Sequence, residues 1–226
     1  MWYLGDKYTQ MSRLKKMGIV KVYEIHHAIR EVQKLLVLPG EADKVQSAER
    51  ELIGRKIPGF FPTPGKLIDY IVDSIGIDED DNILDPSAGK GDILKHLQPL
   101  VNTVTGIEIN STLVELCQLQ GLNVVQGDFL TVGDGCPLDF LESRDECPNI
   151  IIMNPPFENR QAEEHFRHAV SFNPDKIACI APANLSGPFK AYLEEIGATI
   201  EALPEKSFST AFNRTDVNTC LITWVR

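Results

Sequence analysis

The chain holds 226 residues, of which 43% are hydrophobic and 24% charged, the balance of an ordinary globular domain with enough material for a substantial core. No apolar stretch approaches the roughly 20 residues a membrane span needs, and residues 1–16 lack the apolar block and cleavage site of a secretory leader, so a membrane or exported protein is not expected. Net charge is −10, but unevenly placed. Residues 1–56 hold 11 Lys and Arg against 7 Asp and Glu, and residues 57–226 hold 11 against 25. One end could therefore meet a polyanion that the rest would repel. The five cysteines, Cys117, Cys136, Cys147, Cys179 and Cys220, form no CxxC pair, so five reduced thiols are expected rather than a disulfide framework or a zinc site.

In chain order, Val22, Ile25, Ile29, Val32 and Leu36 recur at helical spacing, with Pro39 and Gly40 closing the stretch, and a second short helix is expected over residues 42–52. This amino-terminal helical extension is read as residues 1–56. Thr63 is positioned to cap a helix that starts at Pro64, presents Leu67, Ile71 and Ile75 on one face and ends at Gly76. From there short apolar runs alternate with amphipathic stretches. Strands are expected at residues 82–84, 103–107, 123–125, 149–153, 176–180, 199–202 and 218–224. Helices are expected near residues 93–100, 112–120, 162–171 and 189–196. That rhythm predicts an α/β fold over residues 57–226 with a mostly parallel sheet, helices on both faces, and ligands at the carboxyl ends of the strands.

The residues after each strand carry the chemical signal. Asp85-Pro86-Ser87-Ala88-Gly89-Lys90-Gly91-Asp92 follows the first; its glycines permit a tight turn and close approach of a ligand to backbone N–H groups. It is half of a dinucleotide fingerprint and lacks the spacing of a triphosphate-binding loop. Glu108 ends the second strand, where an acid can accept hydrogen bonds from both hydroxyls of a ribose. Gly127-Asp128-Phe129 follows the third, offering a carboxylate for an exocyclic amine and a ring for a purine face. The fourth runs directly into Asn154-Pro155-Pro156-Phe157, where two prolines stiffen the exit and present Asn154 at the strand end.

Taken together, DPSAGKG, Glu108, GDF and NPPF resemble the S-adenosylmethionine-dependent methyltransferases that act on planar exocyclic nitrogens, above all the N6-adenine DNA methyltransferases. Phe61-Pro62-Thr63-Pro64 resembles the cofactor element that one subgroup places amino-terminally, and residues 208–224 resemble their closing hairpin. The overall character is that of stand-alone phage- or plasmid-borne enzymes. The resemblance implies a Rossmann-like class I methyltransferase fold with a seven-stranded sheet. It also implies S-adenosylmethionine as cofactor, S-adenosylhomocysteine as product, and a nucleic-acid partner, with DNA favoured over RNA. The setting would be the cytoplasm of a bacterium or phage-infected host.

By the same resemblance, Asp85 would hold the amino-acid end of the cofactor, and Ser87, Ala88, Gly89, Gly91 and Asp92 would line its methionine moiety. Glu108 would take the ribose, Asp128 the adenine amine and Phe129 the adenine face, Thr63 would help bind the carboxylate, and Ile109 and Phe61 would also belong to the cofactor site. Asn154 and Pro155 would accept the hydrogens of the target amine, with Pro156 shaping the turn and Phe157 stacking on the base. Phe208 or Phe212 would supply an opposing wall. Arg160 and Arg214, with Lys16, Lys21, Arg55 and Lys56, are candidate phosphate contacts, and the amino-terminal helices could pair two copies or hold a specificity partner. His165 and His168, three apart, read as surface histidines, and no metal is expected. Rival readings are adenine methylation of RNA, N5-glutamine methylation of a protein, and a nucleic-acid-binding protein on an inactive fold. Phe at position 157, where the glutamine enzymes typically carry Tyr, favours adenine.

Overall fold

A computed structural model describes residues 62–132, 147–204 and 218–226, and singly Val45, which is helical. The chain divides into two compact units, Met1–Gln46 and Ser47–Arg226, and all the described residues but Val45 belong to the second. The two helices expected before residue 56 otherwise lie outside the described residues, as do Phe61, Phe208, Phe212, Arg214, Lys16, Lys21, Arg55 and Lys56.

The elements are α1 (Gly65–Ile75), β1 (Asn82–Asp85), α2 (Asp92–Leu97), β2 (Thr103–Glu108), α3 (Ser111–Leu119), β3 (Val124–Gln126), β4 (Ile150–Met153), α4 (Gln161–Ser171), β5 (Lys176–Pro182), α5 (Gly187–Glu195), β6 (Thr199–Ala202) and β7 (Thr219–Val225). Every strand and helix expected between residues 63 and 226 is present at or within a few residues of its expected place. The seven strands form one sheet in the order β3-β2-β1-β4-β5-β7-β6. β1 to β5 run parallel, while β7 is antiparallel to β5 and β6 antiparallel to β7.

The period-2 geometry of a strand divides the apolar runs between two cores. Leu84, Ile151, Met153, Ile177 and Cys179 face one side and pack with Phe166 and Ala169 of α4 and Phe189 and Leu193 of α5. Ile83, Ile150, Ile152, Ala178 and Ile180 face the other and pack with Leu67, Ile68 and Ile71 of α1 and Ile93 and Leu97 of α2. β4 is buried along its whole length, as a central strand covered on both faces must be. β6, at the edge, is exposed at all four residues. No described helix is long and apolar enough to cross a membrane.

The chain winds from β1 outward to β2 and β3 and then crosses back, so that β4 pairs with β1 on its other side. Ile83 stands against Ile150 and Leu84 against Ile151. The turn after β1 and the elbow after β4, far apart in sequence, thereby leave the carboxyl ends of two adjacent central strands, at the switch point where such folds bind ligands.

Two expectations need correcting. Thr63 does not cap α1: Pro64 occupies the N-cap position with no side-chain cap bond among the described residues, and the Thr63 hydroxyl is engaged by Asn154 instead. Cys147 is disulfide-bonded, whereas Cys117, Cys179 and Cys220 are free and buried; sequence spacing without a paired motif did not show that bond.

Candidate functional site

The site begins with the turn after β1. Asp85 is 1% exposed, and one carboxyl oxygen accepts the backbone N–H of Ser87 at 3.0 Å. Its other oxygen, Oδ2, is buried and has no hydrogen-bond partner among the described residues. Burial, reinforced by the nearby charges of Glu108 and Asp92, pushes the Asp85 carboxyl up to about 8. Among the described residues such a group has no cation beside it, and a buried carboxyl in that state favours its neutral form. Gly89 and Gly91 take φ of +56° and +84°, left-handed conformations that cost little only for glycine. A Cβ on Gly91 would lie 2.2 Å from Leu122 Cδ1 and 3.2 Å from Cys117 Sγ, so the turn closes down on α3 and on Leu122 just beyond that helix. Beneath the turn, the Cys117 thiol donates to the Gly89 carbonyl at 3.4 Å; burial pushes that thiol up to about 12, keeping it a donor.

Glu108 ties this turn to the end of β2. Its two oxygens accept the N–H groups of Gly89 and Asn110, each at 2.8 Å. Burial raises its carboxyl, and these N–H groups oppose the rise. Each oxygen keeps a second lone pair, so the acid can hold the turn and still accept from a diol. Ile109, next to it, is 65% exposed. Gly106, which none of the sequence motifs includes, belongs to this arrangement. A Cβ there would meet Leu94 Cδ1 at 2.7 Å and Ala88 Cβ at 2.8 Å, so only glycine lets the turn and α2 settle on β2. A glycine amid the β-branched residues of a strand was the available signal.

Asp128 stands at the carboxyl end of β3, where its Oδ1 accepts from the Leu130 N–H at 3.0 Å and caps a short 3₁₀ turn, Phe129–Thr131. The structure places Phe129 differently from the expectation of a purine-facing ring. It is 2% exposed, with its ring 4.8 Å from that of His168 and 5.2 Å from that of Phe172. A large aromatic beside an apolar helix face gains more from burial than from solvent. The two histidines are corrected by the same packing. His165 is buried, and its Nδ1–H donates to the Gln161 carbonyl at 2.8 Å; burial lowers its pKa. His168 is half-buried against Phe129 and Phe172. Neither is a surface group.

On the β4 side, Asn154 and Pro155 follow the fully buried strand directly, and the Phe157 ring is half-buried against the core that contains α1 and α2. The Asn154 Nδ2 donates to the Thr63 hydroxyl oxygen at 3.1 Å. Thr63 is itself buried, and its backbone N–H bonds the Asp92 carboxylate at the start of α2, which also pairs with Lys90 at 3.3 Å. Burial raises the Asp92 carboxyl, and Lys90 opposes the rise. Beyond Phe157 the chain passes through two consecutive left-handed non-glycine residues, Asn159 and Arg160, with φ of 52° and 61°, before α4. Backbone of this kind is kept where surrounding structure enforces it. Arg160 is exposed.

The fold thus brings Thr63, Asp85, the glycine turn, Asp92, Glu108 and Asn154 to the carboxyl end of the central strands, and withdraws the Phe129 side chain into the core. A buried acid with no cation beside it among the described residues, a close-approach backbone turn, and an acid at the next strand end fit a ligand with an ammonium group and a ribose.

No protein-family model and no curated protein matches the chain by sequence. Solved structures do match. A protein described as the modification subunit of a type I restriction enzyme from Vibrio vulnificus YJ016 is 21% identical with a TM-score of 0.54, over 74% of this chain and 44% of that one. The M protein of the type I restriction enzyme EcoKI is 18% identical with a TM-score of 0.53, over 76% and 45%. A dimethyladenosine transferase from Plasmodium falciparum is 17% identical with a TM-score of 0.53, over 74% and 62%. The chain spans less than two thirds of each of these proteins. The likeness establishes the fold: a Rossmann-like, class I methyltransferase fold.

Proposed function

We propose that this chain transfers a methyl group from S-adenosylmethionine to the exocyclic N6 of adenine in DNA. The observation that carries the reading is that the Asp85 turn and the Asn154 elbow leave adjacent strands at the β1/β4 switch point and are linked through Thr63, which bonds both Asn154 and Asp92. Asp85, whose buried Oδ2 has no hydrogen-bond partner among the described residues, would hold the ammonium of the cofactor's methionine end. Glu108 would take the ribose, Asp128 the adenine amine, and the exposed Ile109 an adenine face. When bound, S-adenosylmethionine supplies an electrophilic methyl carbon on a sulfonium.

The lone pair of an N6 amine is delocalised into its ring, which makes the nitrogen a poor nucleophile. Asn154 Oδ1 and the Pro155 carbonyl accept its two hydrogens, favour a pyramidal nitrogen, and aim the lone pair at the methyl carbon. Asn154 is not a base, and none is required before transfer; the proton leaves the nitrogen once the N–C bond has formed. Phe157 stacks on the base, which must be flipped from a duplex or presented in a single strand. Arg160, exposed beside the elbow, and the basic residues 1–56 would meet phosphates.

The names of the restriction-enzyme subunits support DNA as substrate, and that of the dimethyladenosine transferase supports adenine and keeps RNA as the second reading. Incubation with labelled S-adenosylmethionine and separate DNA, RNA and protein pools, followed by nucleoside mass spectrometry, tests this. N6-methyl-2′-deoxyadenosine from the DNA pool is expected; label confined to protein would refute the nucleic-acid reading.

A further inference from the structure

We infer that Thr63 is a positioning residue for the Asn154 amide, an inference that rests on the adenine-methylation reading above. An asparagine side chain ends in a broad, nearly two-fold torsion, and its oxygen and nitrogen have almost the same shape. The chemistry needs the oxygen toward the target amine, since an NH₂ group there would set donor against donor. What distinguishes the two ends is what each one bonds. Here the nitrogen donates to Thr63 Oγ1 at 3.1 Å, which commits that end of the amide and assigns the oxygen to the substrate.

Three features make Thr63 a fixed reference rather than a chance neighbour. It lies between Pro62 and Pro64, and Pro64 has φ −64° and ψ 141°; a residue followed by proline is itself confined to extended backbone. Asn154, followed by Pro155, is confined in the same way. Immediately after Pro64, α1 is anchored by the buried Leu67, Ile68 and Ile71. Finally, the Thr63 N–H bonds the Asp92 carboxylate, so the residue that orients the amide is tied to the helix beginning at the glycine turn. The hydroxyl is thus held between the cofactor turn and the elbow, 91 residues from Asn154 in sequence.

The test compares Thr63→Val, which keeps shape and removes the acceptor, with Thr63→Ser, which keeps the acceptor. Thr63→Val should lower kcat by about 10- to 100-fold, as misplacement of a reacting group does, while the Kd for S-adenosylmethionine by calorimetry moves less than about threefold. Thr63→Ser should recover most of the kcat. Asn154→Ala should be no slower when combined with Thr63→Val, because Thr63 acts through that side chain. Exchange of the Asn154 side-chain amide protons, followed by NMR in the protein without substrate, should quicken about fivefold or more in Thr63→Val, matching the loss of one hydrogen bond. An active wild type with unchanged kcat and unchanged amide exchange in Thr63→Val overturns this inference alone. So does a Thr63→Val variant whose loss lies entirely in cofactor affinity. A wild type that methylates no adenine overturns the function reading and this inference with it.

Discussion

The two turns at the switch point reach the same end by opposite backbone devices. The turn after β1 uses glycine: Gly89 and Gly91 adopt positive φ, and at Gly91 there is no room for even one methyl group. The elbow after β4 uses proline: Pro155 and Pro156 remove freedom and two donors, and each confines the residue before it. The first shape lets backbone come close to a ligand and depends on a Cβ being absent. The second holds one side chain still and depends on a restricted chain. Chemistry that only has to bind can rest on backbone, whereas chemistry that has to aim an amide needs a locked side chain.

Removing the aimed group should have the largest effect. Asn154→Ala should lower methyl transfer by about 10²- to 10³-fold, the cost of losing an oriented polar group in a reacting site, with cofactor affinity retained in calorimetry. Unchanged turnover would take Asn154 out of the mechanism and leave the elbow a strand stop. On the other turn, Gly91→Ala should destabilise the fold by about 2 kcal/mol or more, from left-handed strain and overpacking against Leu122 combined. Denaturant unfolding would measure it, and cofactor binding should weaken in parallel. If Gly91→Ala instead unfolds like the wild type, the glycine turn is more plastic than its contrast with the proline elbow allows.

Smaller, and led by Asp85, is a pH dependence. Its carboxyl sits near 8 in the folded protein and near the ordinary carboxylate value of about 4 when unfolded. Between those values the folded chain holds a proton that the unfolded chain has lost, so stability should fall as pH rises from about 4 to about 8 and then level. Cofactor affinity should run the other way, rising toward pH 8, because the ionised carboxylate is the form that pairs with an ammonium. Asp85→Asn should flatten both slopes, read from thermal unfolding and from binding isotherms across that range. Glu108 and Asp92, also raised by burial, act on stability in the same direction, so flattening should be partial.

Much of this was legible in the residues alone. Continuous apolar runs such as Ile150-Ile151-Ile152-Met153, short and rich in β-branched residues, read as strands covered on both faces, which β4 is, and the residues that follow such a run stand at the carboxyl end of the sheet. What eluded the sequence were directions and distant pairings. Phe129 follows a candidate binding acid, yet its ring turns inward because α4 brings His168 and Phe172 against it. His165 and His168 look solvated at their spacing and are packed for the same reason. Thr63 reads as a cap, and its hydroxyl is taken by an amide 91 residues away. The bond at Cys147 carried no paired motif.

The amino-acid order by itself determined which segments become strands and helices, and which residues stand at the strand ends, because burial periodicity and proline and glycine stereochemistry are local properties. Only the assembled sheet decided that the strands ending at Asp85 and before Asn154 lie side by side, which aromatic rings point inward, and which atom bonds the amide nitrogen. Those outcomes depend on strand order and on helices packing across it, and no local window of sequence contains that information.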